Sequence, residues 1–348
     1  MALFDHLADL PLTIEAHDRT TGTRATSSGF DRTTTTFAFH GEGETGKGED
    51  VTYDTEDHER LAAAGLDVDF TGEYTFAEFS DSLDEGALFP ESPERETGYH
   101  YRRWAVESAA LDLALRQADT TLAAALDREY DPVRFVVSTR LGDPPSAARV
   151  EEILDGYPDT EFKLDPTSDW GTGLVETLAT TGRVRILDLK GQYHGTEVDQ
   201  TPDPGLYRRV TEGFPQAVVE DPAIEEGTEA IVEGVADRVS WDAPITGVES
   251  VRDLPFEPSW LNIKPSRFGT VESLLETIEY ARERGMTLYG GGQFELGVGR
   301  GQIQALASVF YPDGPNDVAP GDYNDPDVPE GLPTSPLDPP ADARGFRW

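Results

Sequence analysis

The sequence predicts an α/β fold in which a parallel (β/α) barrel follows an α+β domain. From Pro132 onward short apolar runs ("VRFVVS", "TEFKL", "VRILDL", "QAVVE", "RVSWDA", "WLNIK", "MTLYGG") alternate with segments of helical period. Units of roughly 20 to 30 residues of this kind are parallel strands joined by helical crossovers. No Gly-rich phosphate fingerprint follows the first of these strands, "VRFVVSTRLGDPPS", so a barrel fits better than a doubly wound sheet.

Taken in order, residues 1–130 form the α+β domain. Their first part is rich in Thr, Gly and acidic residues, and stretches such as "TTTTFAFH" and "GEDVTYD" alternate as antiparallel strands do. "YRRWAVESAALDLALRQA" then carries Trp104, Leu111 and Leu115 among Ala and Val, a buried-helix pattern. Residues 131–311 form the barrel. Its clearest helix is "TVESLLETIEYARERG", with Val271, Leu274, Leu275 and Ile278 on one face, Thr270 as N-cap and Gly285 as the stop. Residues 312–348 are rich in Pro, Asp and Gly and almost without period; they are expected on the surface, packed back on the first domain.

With 348 residues the chain can bury a substantial core, so size is no obstacle to an enzyme. Its 67 acidic residues against 28 basic ones give a net charge of −39, which makes nucleic acid and anionic membranes poor partners. Acid dispersed along the whole chain, with lysine nearly absent, fits a high-salt cytoplasm, where screening makes the self-repulsion tolerable. An unfolding temperature that rises between low salt and molar KCl is the check. Cysteine is absent, which excludes disulfides, zinc-thiolate sites and thiol nucleophiles. No apolar run reaches the ~18 residues of a membrane span, and "MALFDHLADLPL" lacks the basic start of a signal peptide. A soluble cytoplasmic protein is the expectation; the sequence does not indicate whether it forms a homo-oligomer.

The C-terminal ends of the strands form the active face of a (β/α) barrel. The charged residues there are Lys163, Asp188 with Lys190, Glu220, Asp242 and Lys264. The last four strands concerned are spaced by 32, 22 and 22 residues from Asp188 to Lys264, one charged residue per strand. A single charge at a strand end is ordinarily a solvated terminus or an ion pair. Four on consecutive strands point into one cavity, and three carboxylates there cannot all stay ionised without a cation. An all-oxygen site suits Mg²⁺, with Mn²⁺ as a substitute. A lysine beside such an ion has its pKa lowered toward the range of a general base, whereas arginine keeps its proton. Only four of the 28 basic residues are lysine, and Lys163, Lys190 and Lys264 all end predicted strands. The fourth, Lys47, falls in "GEGETGKGED", which reads as a loop. "YGGGQFELGVGRG" matches neither common phosphate-loop fingerprint.

The series "ILDLKG", "VVEDP", "SWDAP" and "NIKPSRFG" resembles the third to sixth barrel strands of the enolase superfamily, in the branch of muconate lactonizing enzymes and o-succinylbenzoate synthases. "WAVESAALDLALRQADTTLAAALDR" and "GGGQFELGVGRGQIQALAS" are similar to the helix leading into that barrel and to its seventh strand with the following helix. The resemblance implies a modified (β/α)₇β barrel of TIM type, closed over by an α+β capping domain that the C-terminal tail completes. It implies Asp188, Glu220 and Asp242 as Mg²⁺ ligands, Lys264 as base or cationic stabiliser, and Glu295 as a residue lining the site. The family's second strand carries Lys-x-Lys; here Lys163 is kept and Asp165 stands in the second place. Lys190 replaces the Asn of the third strand's Asp-x-Asn, and Asp242-Ala243 replaces an Asp-Glu pair. No histidine follows His194, so the His-Asp dyad of the mandelate racemase branch is absent from the late strands.

The chemistry implied is Mg²⁺-assisted removal of a proton α to a carboxylate, by way of an enediolate, from a small-molecule carboxylate substrate. Lys264 is the expected proton-handling group, and Lys163 or Lys190 serves the opposite face. Losing the second-strand lysine makes a lyase or cycloisomerase a better fit than a two-base epimerase. The loop around Lys47 is a candidate specificity lid, with Lys47 and Asp165 as substrate contacts. Two other readings are a barrel that binds Mg²⁺ and a carboxylate without turnover, and a barrel enzyme with an unrelated metal-dependent reaction. Carboxylates more than ~6 Å apart would exclude a shared ion.

Overall fold

The computed structural model describes residues 2–193 and 200–348, so His194 lies outside the described residues. The N-terminal part holds five strands: β1 (Pro11–Ile14), β2 (Ala16–Ala25), β3 (Asp31–Gly41), β4 (Glu44–Asp50) and β5 (Gly72–Thr75). β2, β3 and β4 form an antiparallel sheet, and β1 pairs antiparallel with β5. Threonine is β-branched and suits a pleated surface. Here it also pairs across the ladder, Thr21 with Thr35 at 2.8 Å and Thr23 with Thr33 at 3.0 Å between hydroxyls.

The loop expected around Lys47 is instead strand β4. The turn uses only Glu42 and Gly43, both at positive φ (53° and 79°), which matches a two-residue hairpin whose twist suits its strands. The alternation in "TGKGED" has a purpose that composition hides. Gly46 and Gly48 face the helix Thr97–Gln117, and a Cβ at Gly46 would stand 2.3 Å from the Ala109 carbonyl oxygen, one at Gly48 2.0 Å from that of Ala105. Sheet and helix backbones thus touch, which only glycine permits.

The remaining strands are β6 (Val136–Thr139), β7 (Glu161–Leu164), β8 (Val184–Asp188), β9 (Val218–Glu220), β10 (Val239–Trp241), β11 (Trp260–Ile263) and β12 (Thr287–Gly290). They pair in parallel, in sequence order, as one curled sheet with helices between them. The helix Val271–Glu283 starts as its sequence implies, with the Thr270 side chain accepting from the Ser273 amide at 3.0 Å. A short segment of the C-terminal part stands between the two edges: Asn316 bridges Phe135 beside β6, and Asp317 bridges Gly291 beyond β12, both parallel. Asn316 is fully buried; its side-chain amide donates to the carbonyls of Arg134, Tyr311 and Gly314 and accepts from the Gly290 amide at 2.6 Å. Further on, the tail returns to the helix Thr97–Gln117, where the Phe346 amide donates to Asp112 at 2.9 Å.

Alternation along the strands sorts the core. Val136, Ile186, Val218 and Tyr289, with Trp260 against them, fill the inside of the curled sheet. Phe162, Leu164, Leu187, Leu261 and Ile263 belong to the larger core of the molecule. No helix among the described residues is long and apolar enough to cross a membrane.

Candidate active site

A side chain two residues further along a strand points to the same face. Stepping from the inner apolar layer toward the C-terminal ends therefore leads from Ile186 to Asp188, from Val218 to Glu220, and from Trp260 through Asn262 to Lys264. The residues singled out from sequence sit directly above an apolar floor. Asp188, Glu220 and Asp242 are fully buried, and one oxygen of each lies within 4.8 Å of the others.

Cations of the chain surround this group. Lys163, 2% exposed, contacts Glu220 and stands 3.1 Å from Asp188. Lys190 contacts Asp188 and stands 3.7 Å from Asp165. Lys264 lies 2.8 Å and Arg267 3.1 Å from Asp242. Tyr193 donates to Asp242 at 3.0 Å and accepts from Arg267 at 3.1 Å. Glu220 also accepts from the Asn262 amide at 3.1 Å and from the Tyr289 hydroxyl.

The electrostatics are divided. Burial drives all three carboxylic acids up; in Asp188 the pull of Lys190 and Lys163 overcomes it, and in Asp242 that of Arg267 and Lys264, so both are held below the ordinary range. For Glu220 burial prevails over Lys163, with Asp188 and Asp242 adding to it, and its carboxyl is pushed up to about 8. Lys163 is raised, since Glu220 and Asp188 outweigh burial. Lys190 moves the same way beside Asp165 and Asp188. The lowered lysine pKa expected beside a cation is therefore not what the carboxylates alone produce.

Whether these residues suit a metal ion can be judged from their own atoms. Asp242 Oδ1 is buried and in no hydrogen bond, with Arg267 Nε 3.1 Å away as its ion-pair partner, and the donor set is entirely carboxylate. Two oxygens sharing an ion at ~2.1 Å are at most about 4.2 Å apart, a small side-chain adjustment from what is seen. The donor set fits a hard divalent cation such as Mg²⁺.

A cavity of about 440 Å³ opens above the lysines. Among the described residues, Lys163, Lys190, Lys264 and Arg267 line its floor and Arg95, Arg140 and Arg300 its walls, against Glu96, Asp165 and Asp317. In a chain of net charge −39, that balance selects for an anion.

Other sequence expectations fall differently. Asp165 does face the cavity, 3.6 Å from Arg140. Glu295 is not among the cavity-lining residues: it lies past the end of β12, accepts from the Gln293 amide at 2.8 Å and pairs with Arg300 at 3.4 Å. It supports two residues of the wall instead of forming it. Lys47 does not reach the cavity either; its amide donates to Asp112 at 2.9 Å on the helix side of the sheet.

Several neighbours escaped sequence reading. Asn262, two residues before Lys264, was signalled by strand period alone. Asp221, fully buried at φ 47°, accepts from the amides of Asp242 and Ala243 at 2.8 and 2.9 Å and clamps two strand ends together. Burial first, then Asp242 and Asp188, push it up to about 7. Arg267 sits in the 3₁₀ turn Pro265–Phe268, which swings it back over Asp242. Asp317 gave no signal, because its segment has no strand pattern.

The sequence matches the family described as "Domain of unknown function (DUF8230)", its C-terminal domain over residues 129–325 and its N-terminal domain over residues 5–125. The chain belongs to this family. It is also 25% identical over 243 residues to an o-succinylbenzoate synthase of Bacillus subtilis (strain 168), a match spanning 68% of this chain and 62% of that protein. An N-succinylamino acid racemase of Amycolatopsis sp is 26% identical over 234 residues, 65% of this chain and 60% of that protein. The chain therefore spans less than two thirds of either curated relative's own length. Among solved structures, the muconate lactonizing enzyme from Pseudomonas putida superposes with a TM-score of 0.64 at 18% identity, covering 88% of each chain. A muconate cycloisomerase from Pseudomonas fluorescens gives 0.64 at 16% identity, covering 88% of this chain and 87% of that one. Together these relatives put the DUF8230 chain in the muconate lactonizing and o-succinylbenzoate synthase-like branch of the enolase superfamily.

Proposed function

We propose that the protein is a Mg²⁺-dependent enzyme that removes a proton α to a carboxylate in a lyase, cycloisomerase or epimerase reaction. The observation that carries this reading is the buried meeting of Asp188, Glu220 and Asp242 within 4.8 Å, with Lys264 drawn against Asp242 from the next strand. The curated relatives bear the names of enzymes, which favours turnover over a barrel that only holds Mg²⁺ and a carboxylate ligand.

In this reading residues 1–130 cap the site, 131–311 form a modified (β/α)₇β barrel, and 312–348 tie the two together, with Asn316 and Asp317 supplying an eighth place in the barrel wall. Asp188, Glu220 and Asp242 hold the Mg²⁺. When bound, the ion supplies the positive charge that stabilises an enediolate, whose parent proton is too weakly acidic for an amine alone.

Lys264 takes the α-proton, because it can lose and regain one where Arg267 cannot. Lys163 stands on the second strand of the ring and Lys264 at the end of the sixth, half a turn apart among eight places. They flank a substrate from opposite sides. Lys190, set between Asp188 and Asp165, stabilises charge. Arg95, Arg140 and Arg300 draw the anionic substrate in.

The test is proton exchange. Incubation with Mg²⁺ in D₂O and a panel of carboxylic acids, N-succinylamino acids included, is expected to give α-deuteration that chelation removes and that Lys264→Ala abolishes. Exchange that survives Lys264→Ala, or that needs no divalent cation, would count against the assignment.

A further inference from the structure

Asp317 has no role in the scheme above, yet it is placed as carefully as any residue in the site. Its segment stands between the two edges of the curled sheet, held by the buried Asn316 side chain and by the Asp317 amide donating to the Gly290 carbonyl at 2.8 Å. Its carboxylate faces the cavity and accepts no hydrogen bond from a described residue; its ion pair is with Lys163 at 3.9 Å. Asp165, by contrast, is held between Arg140 and Lys190.

The ring order fixes what Asp317 faces. Counting from β6, with the bridging segment as the eighth place, Glu220 is fourth and Asp317 eighth, while Lys163 is second and Lys264 sixth. A substrate whose carboxylate is turned toward Asp188, Glu220 and Asp242 therefore has its α-carbon between the two lysines. With its β-carbon turned to the Lys163 side, a β-substituent meets the Asp317 carboxylate, 3.9 Å from that lysine.

We propose that Asp317 is the proton donor to a leaving group on the β-carbon, so that the reaction is an α,β-elimination. This rests on the proton-abstraction reading. Lys264 accepts the α-proton and the C–H electron pair becomes the Cα=Cβ bond. The Cβ–O bond breaks with its pair on oxygen, the Asp317 carboxyl protonates that oxygen, and water leaves. Solvent returns the proton to Asp317 and removes the one on Lys264. Burial raises the Asp317 pKa against the pull of Lys163, Lys264 and Arg300, with Asp165 adding to the rise, which is the direction a proton donor needs. Those same cations make Asp317 a poor receptor for a substrate ammonium.

Two probes separate the steps: N-succinyl-alanine and N-succinyl-serine, which differ by one β-hydroxyl. With Mg²⁺ in D₂O the wild type is expected to deuterate the first and to convert the second to the dehydroalanine product. In Asp317→Asn, elimination from N-succinyl-serine falls about 10²- to 10⁴-fold, the usual contribution of a general acid, while exchange into N-succinyl-alanine falls far less, so the ratio of the two rates is the readout. The alkaline limb of the elimination pH profile disappears with it, and Asp317→Glu recovers part of the rate. Equal loss of exchange and elimination in Asp317→Asn, or unchanged elimination, overturns the proposal. A wild type that exchanges both probes but eliminates neither overturns it alone; one that exchanges neither overturns the proton-abstraction reading with it.

Discussion

Asp50 in the N-terminal sheet and Asp242 in the curled parallel sheet are both fully buried, and each faces an arginine. Asp50 is closed. One oxygen accepts from the Thr52 amide and hydroxyl at 2.9 and 2.6 Å, the other from Arg102 at 2.8 Å, and Arg102 spends its remaining donors on the carbonyls of Leu88 and Asp57. Burial raises the Asp50 carboxyl, but Arg102 and His58 outweigh it and hold it below the ordinary range. Asp242 is less complete: its Oδ1 has the ion pair with Arg267 at 3.1 Å but no hydrogen bond, and two further carboxylates converge on it. A buried charge therefore marks function only where it is left incomplete and crowded by its own sign. A complete pair is architecture.

The largest effect that would test this contrast is on the less complete side. Lys264→Ala is expected to slow α-proton exchange by about 10²- to 10⁴-fold. On the closed side the reverse holds: Arg102→Met strands Asp50 and should cost about 3–5 kcal/mol of stability in urea unfolding. Its Mg²⁺ affinity by calorimetry should match the wild type. Gly48→Ala pushes a methyl into the Ala105 carbonyl and is expected to cost about 1–3 kcal/mol.

The smallest effect is a slope with pH. Glu220 is pushed up to about 8 and Asp221 to about 7, from ordinary values of 4.5 and 3.8. Between those limits the folded chain holds more protons than the unfolded one, so stability falls as pH rises and these two groups contribute fully only below the unfolded values. The loss is at most about 1.4 kcal/mol per pH unit for each proton retained. Asp188 and Asp242 shift the other way, and their contribution is complete once pH exceeds the ordinary carboxyl range. Thermal unfolding in chelator between pH 5 and 8 should show the decline, and Mg²⁺ should flatten it.

Much of this region was legible in sequence because a curled parallel sheet repeats one rule. Each apolar run ends at the same rim, so Asp188, Glu220, Asp242 and Lys264 could be read from position alone. Residues that reach the site by other routes were not legible. Arg267 arrives through a 3₁₀ turn, and Asp317 through a segment whose strand-like role depends on Asn316 finding two sheet edges distant in sequence. Lys47 misled because its glycine neighbours look like loop composition; only the helix packed against them shows that they are strand glycines. Glu295 was placed on the right stretch, but the direction of its side chain depends on a local hydrogen bond to Gln293.

One residue of β4 sets a limit on modularity. Glu49 is buried with its carboxylate against the amides of Leu296, Gly297 and Gly299, at the start of the helix Val298–Phe310. The N-terminal sheet thereby supplies the negative charge that a barrel helix lacks at its own N-terminus. Anyone exchanging this N-terminal sheet for that of a relative would also be removing part of a helix of the parallel sheet. A transplanted sheet must bring its own carboxylate to that point, or the wall carrying Gln293, Phe294 and Arg300 loses its anchor.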